Sequence, residues 1–303
     1  MLTSASTPIE SVAVVGAGLM GRRIAGVMAR AGFRTVLTDA NAEILPAALS
    51  DAQAMCSDVV ELRATADVAD AVSGVDLVIE AIVENLEIKR EVFAVLRAAN
   101  AEAILATNSS VIPITAIASE LADTSNCIGM HWWNPPDLIP IVEVIRGEGT
   151  SDAAMDRCVE ALTRAGKLPV RVERDVPGFV GNRLQHALWR EAIDLVASGV
   201  CDAETVDLVV RNTIGLRLAE MGPIENADYV GLDLTLAIHE QVLPSINSDP
   251  FPSAHLRELV AAGNLGAKSG SGFLDWPAGS REAAATRLSA HVSSQLSSRQ
   301  NPV

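Results

Sequence analysis

The chain has 303 residues, 49% of them hydrophobic, which suits two domains, each able to bury a core. Its 38 acidic residues outnumber 23 Lys and Arg for a formal charge of −15, which argues against nucleic acid or an anionic membrane surface as partner. An anionic substrate would need a local basic site, and since Lys89, Lys167 and Lys268 are the only lysines, Arg must supply most of any such site.

Met1 to Glu10 is a polar lead with no secretory pattern. The apolar run Val12–Val15 follows an acid and enters glycines, so it reads as a strand rather than a signal segment. No apolar stretch approaches the ~20 residues of a membrane span. Further strand-like runs are Thr35–Thr38, Leu77–Ala81, Ala103–Ala106, Cys127–Met130, Ile141–Ile145 and Val170–Val172. Helical periodicity fills most gaps between them, with Met20, Ile24, Val27, Met28 and Ala31 on one face of Leu19–Ala31. The alternation predicts an α/β fold, a doubly wound parallel Rossmann sheet over 1–177. After Asp175-Val176-Pro177-Gly178 the strand signals nearly stop. Phe179–Ala197, Ala203–Ile214, Ile224–Val242 and Ala254–Ala262 read as helices, so 178–303 is expected to be an all-α domain for substrate binding and dimerisation. The Ser/Ala-rich last ~25 residues read as a weak helix or loose chain. Cys56, Cys127, Cys158 and Cys201 lack CxxC spacing and read as buried free thiols, which fits a reducing cytoplasm. His239, His255 and His291 have no ligand spacing, so no metal is expected.

Gly16-Ala17-Gly18-Leu19-Met20-Gly21 is a GxGxxG loop between a strand and a helix, and Asp39 closes the next strand 18 residues beyond Gly21. The motif alone is weak; in this setting it points to a dinucleotide. Gly16 permits the tight turn, Gly18 lets backbone approach a pyrophosphate, and Gly21 lets helix and strand pack closely. Asp39 would accept from the adenosine ribose hydroxyls. It would repel a 2′-phosphate, and Ala40-Asn41 bring no Arg to bind one, so NAD is expected over NADP. Three later strands each end in polar residues, at Glu84 to Lys89, at Thr107-Asn108-Ser109-Ser110 and at His131-Trp132-Trp133-Asn134, which is how the cleft of such a sheet is furnished.

From Val12 to about Trp276 the motifs GAGLMG, EAIVENLEIK, TNSS, GMHWWNPP, IVEVI, DVPGFVGNRL, MGPIENADYVGLD and GAKSGSGF occur in order. In them the chain resembles the 3-hydroxyacyl-CoA dehydrogenase family. The resemblance implies His131 as base, Glu143 as its partner, Ser110 and Asn182 as substrate contacts, and Asn134 completing the site. It also implies that Glu84, Lys89 and Asn108 touch the cofactor.

Residue chemistry gives these roles separate support. A 3-hydroxy substrate loses its hydroxyl proton as hydride leaves, and imidazole titrates near neutrality. In Ile141-Val142-Glu143-Val144-Ile145 the glutamate shares a strand face with two isoleucines, a costly place for a carboxylate without a partner. The alternative is a core histidine and a solvent-facing glutamate. Asn182 and His186, one turn apart, are either substrate contacts or helix-surface polars.

The chain also departs from the family. Acyl-CoA members carry a long helical arm with lysines for the CoA phosphates. Here Ala40–Gly74 is short and has no Lys, only Arg63 among Glu43, Asp51, Asp58, Glu61, Asp67 and Asp70. The NPP-xx-IP stretch looks like the branch that oxidises free 3-hydroxy acids such as gulonate or carnitine, and Trp132 and Trp133 replace smaller aromatics. The first expectation is reversible oxidation of an L-3-hydroxyacyl-CoA. The second is the same chemistry on a free 3-hydroxy acid. The third is an inactive NAD(H)-binding protein such as some crystallin relatives, against which the presence of all the site residues counts. A 6-phosphogluconate-type dehydrogenase would need a catalytic Lys at the head of the second domain, and none stands there. The expected partners are a small-molecule substrate, with CoA thioesters among the candidates, and a second copy of the chain.

Overall fold

The computed structural model describes residues 7–56 and 61–300. The chain divides into two compact units, 1–183 and 184–303. The first alternates β1 (Ser11–Val15), α1 (Leu19–Arg30), β2 (Arg34–Thr38), α2 (Leu45–Gln53), β3 (Leu62–Thr65), α3 (Val68–Val72), β4 (Leu77–Glu80), α4 (Leu86–Ala99), β5 (Ile104–Thr107), α5 (Ile114–Ile117), β6 (Cys127–Trp132), β7 (Ile141–Arg146), α6 (Asp152–Arg164) and β8 (Leu168–Val172). The eight strands form one sheet in the order β3-β2-β1-β4-β5-β6-β7-β8.

Period-two alternation along the strands builds a core on each face. Val12 and Val14 of β1 join Ile24, Val27 and Met28 of α1 and Met155 and Leu162 of α6. Ala13 and Val15 join Phe93 and Leu96 of α4 and Ile114 and Ile117 of α5. Because both faces are covered, the strands read as continuous apolar runs.

The structure corrects the sequence reading at several points. The sheet is not wholly parallel: β6 and β7 pair antiparallel, while the remaining neighbours are parallel. β3 is an additional strand inside the short arm. It escaped notice because it is a polar edge strand in which only Leu62 is buried. β6 runs two residues further than its apolar run, so His131 and Trp132 lie within the strand rather than after it. Ile9, in the supposedly loose lead, is buried in the core; residues 1–6 and Asp58 lie outside the described residues. Cys127 and Cys158 are buried, whereas Cys56 and Cys201 are only half-buried; all four are free thiols. Phe179, just past the expected boundary at 177/178, packs on Ile145 and Val172.

The second unit is helical: α7 (Gly181–Ala197, begun in the first unit), α8 (Ala203–Asn212), α9 (Ile214–Leu218), α10 (Pro223–Val230), α11 (Leu232–Val242), α12 (Ala254–Ala261) and α13 (Ser280–Gln300). The pattern read as one helix over Ile224–Val242 breaks at Gly231, whose φ of 101° a helix cannot contain. The Ser/Ala-rich tail is helical in α13. No residue from 184 to 298 is buried in the single chain. Among the described residues no helix is long and apolar enough to cross a membrane.

Candidate active site

The glycine loop fits a dinucleotide. Gly16 has φ 104°, and a Cβ there would stand 2.6 Å from the Ala81 carbonyl oxygen; a Cβ on Gly21 would stand 1.7 Å from that of Gly16. Both glycines are therefore required by close backbone approach. Gly18 caps α1 without a side-chain bond, and nothing lies within 4 Å of its Cβ position. A pyrophosphate at the start of α1 would be favoured by the helix's first N–H groups and by its dipole, and the open position at Gly18 leaves room for close backbone approach. Leu19 is exposed beside them. Asp39 ends β2 and accepts from the backbone N–H of Ala17 (2.7 Å) and of Asn41 (2.8 Å), so the carboxylate is fixed against the glycine loop.

His131 and Glu143 are brought together by the ladder itself. In the antiparallel β6–β7 pair they stand directly opposite each other, with side chains on the same face. His131 Nδ1 lies 2.7 Å from Glu143 Oε2, and both residues are 3% exposed. The other carboxylate oxygen accepts from the backbone N–H of Val180 (3.0 Å) and Gly181 (3.1 Å). Burial opposes ionisation of Glu143. The His131 hydrogen bond, the Gly181 amide, the attraction of the imidazole and the Val180 amide together outweigh it and hold the carboxyl below its usual range. A charged carboxylate on Nδ1 orients the ring so that Nε2 is left to take a proton.

The amides reach Glu143 because the chain turns sharply: Gly178 and Phe179 both adopt positive φ (77° and 49°). The Phe179 ring lies 5.8 Å from that of His131, and Trp133 stands 5.0 Å away on the strand-end side. A Cβ at Gly181 would meet the Trp133 indole at 2.3 Å, so the glycine makes room for that ring. A recess of about 550 Å³ opens beside Glu143, lined by Trp133, Ile139, Ile141, Val170, Val172 and Val180.

The Ser110 turn follows β5. Ser110 donates its N–H to Glu84 (3.0 Å) and accepts at its carbonyl from the Asn182 amide (2.9 Å), so Asn182, 8% exposed, holds the turn in place. Asn108 is drawn into the scaffold, its Oδ1 accepting from the Trp132 N–H (2.9 Å). Asn134 is exposed at the start of the loop after β6. His186 lies in the second unit, where its ring packs edge-on to Trp189 at 4.9 Å.

Lys89 sits in an ion-paired cluster. It is 1% exposed, and its ammonium donates to both oxygens of Glu80 (2.7 and 3.0 Å), with Glu84 Oε2 3.4 Å away. Two carboxylates hold its ammonium at the end of β4.

Several supporting residues were not singled out by sequence reasoning. Glu80 is hidden at the end of an apolar strand and Ser109 is buried, while Phe179 and Gly181 sit inside a motif from which only Asn182 was read. Lys167 was noted only as one of three lysines. Its buried ammonium donates to the carbonyls of Pro136 and Ile139 (3.0 Å for the latter), pinning the loop after His131, and burial and the charge of Arg30, against the pull of Asp137, lower its pKa to about 8.

The family model for the NAD-binding domain of 3-hydroxyacyl-CoA dehydrogenase matches residues 11–176, and that for the C-terminal domain matches 178–276. The chain belongs to the 3-hydroxyacyl-CoA dehydrogenase family. It is an NAD-dependent dehydrogenase. A probable 3-hydroxybutyryl-CoA dehydrogenase of Deinococcus radiodurans is 39% identical over 275 residues, covering 86% of this chain and 98% of that one. A 5-formyl-3-hydroxy-2-methylpyridine 4-carboxylate 5-dehydrogenase of Mesorhizobium japonicum is 36% identical over 282 residues, 88% of this chain and 90% of that one. A crystal structure of an enzyme of that name, described as an NAD+-dependent dismutase, superimposes with a TM-score of 0.88 at 34% identity, covering 94% of this chain and 96% of the other.

Proposed function

We propose that the chain oxidises a small hydroxylated acid that carries no CoA handle, by hydride transfer to NAD coupled to loss of the hydroxyl proton to His131 Nε2. NAD supplies the hydride acceptor. His131 takes the proton, Glu143 holds the ring and stabilises the imidazolium, and Ser110 and Asn182 face the substrate. Glu143 is kept ionised by two backbone amides as well as by His131, so its support for the base does not depend on substrate.

The observation that carries the absence of CoA is the state of the arm. Arg63, its only cation, is paired with Asp70 at 2.7 Å, and Arg22 at the head of α1 is paired with Asp51 at 2.6 Å. Neither is left for a phosphate without breaking its own ion pair. The recess beside Glu143 is of small-molecule size. Similarity to the pyridine-carboxylate dehydrogenase, whose named substrate carries no CoA, supports the same reading. Arg183, exposed and in no ion pair among the described residues, is the cation suited to a substrate carboxylate. The test is an initial-rate panel that pairs 3-hydroxybutyrate with 3-hydroxybutyryl-CoA and adds a hydroxymethyl-substituted aromatic carboxylate. The expected result is kcat/KM for a free acid equal to or above that for the thioester; a thioester advantage of about a thousandfold or more overturns the reading.

We further propose that two copies associate through their second units, since none of the residues from 184 to 298 is buried and Ile224, Tyr229 and Phe251 are exposed by 70% or more. The free thiols Cys56, Cys127, Cys158 and Cys201 fit a reducing compartment such as the cytoplasm.

A further inference from the structure

The loop between β6 and β7, residues 133–140, forms one wall of the recess beside Glu143 and has few backbone donors of its own. Trp133 at its head and Ile139 near its end both line the recess. Pro135, Pro136 and Pro140 have no N–H to give. Within the loop the Leu138 and Ile139 amides both donate to one acceptor, the Pro135 carbonyl (3.1 and 3.0 Å). At its far end the Pro140 carbonyl accepts from the Leu168 N–H (2.9 Å). The carbonyls between need a donor from outside the loop. Lys167 provides it from the turn between α6 and β8. Only 8% exposed, its ammonium donates to the Pro136 carbonyl and to that of Ile139 (3.0 Å), and it lies 5.6 Å from the centroid of the Trp132 ring.

A buried ammonium is costly unless its charge is met. Among the described residues no carboxylate lies within ion-pair distance of this one, so two carbonyl dipoles and the face of the Trp132 ring meet it instead. Two carbonyls three residues apart thereby converge on a single cation, which closes the loop on itself and sets Ile139 against the recess. The loop has one other side-chain tie, from Asp137 to Arg23 of α1 at 2.7 Å. That pair is 22% and 37% exposed, and ion pairs so open to solvent contribute little. Lys167 is the stronger tie, because its charge-assisted hydrogen bonds are shielded from water.

We propose that Lys167 is a positioning residue for substrate: by clamping the Pro136 and Ile139 carbonyls it fixes the wall of the recess that Trp133 and Ile139 form, and so sets how tightly a small hydroxylated acid is held beside His131. Loss of the clamp loosens that wall and leaves the His131–Glu143 pair in its strands, so the effect falls on KM rather than kcat. The proposal rests on the reading of the recess as the seat of the substrate, and it applies whether or not the substrate carries CoA.

The test compares Lys167→Met, Lys167→Arg and Asp137→Asn with the parent enzyme. Three quantities are read: kcat and KM for the panel compound that the parent oxidises fastest, NADH dissociation by fluorescence titration, and hydrogen exchange of the Leu138 and Ile139 amides. Lys167→Met keeps the length of the side chain and loses its donors. It is expected to raise KM by about tenfold with kcat and NADH affinity within about threefold, and to speed exchange of the two amides by at least about tenfold. Lys167→Arg keeps a cation with several donors and should hold KM within about threefold of the parent. Asp137→Asn cuts the weaker tie and should leave KM and exchange within about threefold; it decides the matter if Lys167→Met folds poorly. An unchanged KM in Lys167→Met, an arginine variant no better than the methionine one, or a tenfold rise in KM and exchange from Asp137→Asn alone would overturn the proposal. Val170→Trp, which fills the recess, separates the two readings. If it leaves KM untouched, the substrate sits elsewhere and the seat given to it fails, while the hold of Lys167 on the loop is still decided by hydrogen exchange.

Discussion

His131 and Glu143 are a directly registered cross-strand pair, with Nδ1 2.7 Å from Oε2 in the one antiparallel ladder of the sheet. Replacing His131 with Ala should cut kcat by roughly 10²–10⁴-fold, the usual worth of general-base catalysis, while NADH still binds. Near-normal turnover at pH 7 would require a different base.

Glu143→Gln should cost less in rate than loss of His131 and should move the pH–rate profile, since the imidazolium loses its counter-charge. It also makes a stability prediction. The Glu143 carboxyl is held below its unfolded value, so its contribution is fully present above about pH 4.3, the unfolded range, and is lost as pH falls through the lower folded value. Urea melts of parent and variant should therefore differ most near neutrality and converge on acidification. A gap that does not depend on pH would mean the carboxyl is not depressed.

Asp39 is tied to the Ala17 amide beside the phosphate-binding turn. NAD should exceed NADP by at least about tenfold in kcat/KM, because a carboxylate placed there repels a 2′-phosphate and no Arg follows it. Asp39→Ala should shrink that ratio mainly by weakening NAD. Equal use of both cofactors by the parent enzyme would sink the assignment of Asp39 to the ribose.

Gly181 and Trp133 bear on the substrate side. A methyl on Gly181 would meet the indole at 2.3 Å, so Gly181→Ala must displace a ring that stands 5.0 Å from His131 or move the amide that serves Glu143. The expected outcome is a fall in kcat/KM of about tenfold or more with NADH affinity preserved. Unaltered kinetics would show that the Trp133 ring adjusts freely.

Much of this was legible in the sequence, and the reasons differ by element. The glycine loop and Asp39 announce themselves because backbone approach admits no other residue type at Gly16 and Gly21. Buried strands such as Leu77–Glu80 read as apolar runs. β3 did not, since an edge strand with Arg63 and Thr65 looks like loop. The direction of β7 was also hidden: periodicity gives faces, not partners, and the His131–Glu143 pairing needed the register. Lys89 shows the remaining limit, for a motif gives the residue but not which way its ammonium turns. That is decided by Glu80, nine residues earlier on another element.

The association of two copies can be argued from the second unit alone. Along α10 and α11 the exposed positions include Ile224 (78%), Tyr229 (77%), Leu232 (64%) and Leu236 (61%), and Phe251 beyond them stands at 70%. Apolar faces of that extent are uncommon on monomers, and a helical unit in which no residue from 184 to 298 is buried lacks a core of its own. A second copy offering the same faces would supply one, through an isologous contact in which each surface is its own complement. Light scattering at micromolar concentration should give about twice the mass of one chain. Ile224→Asp combined with Tyr229→Asp should shift the population toward monomer and lower the thermal midpoint of the helical unit, leaving NADH binding by the first unit intact. A parent protein that is monomeric at that concentration, and equally stable with both acids in place, would refute the association.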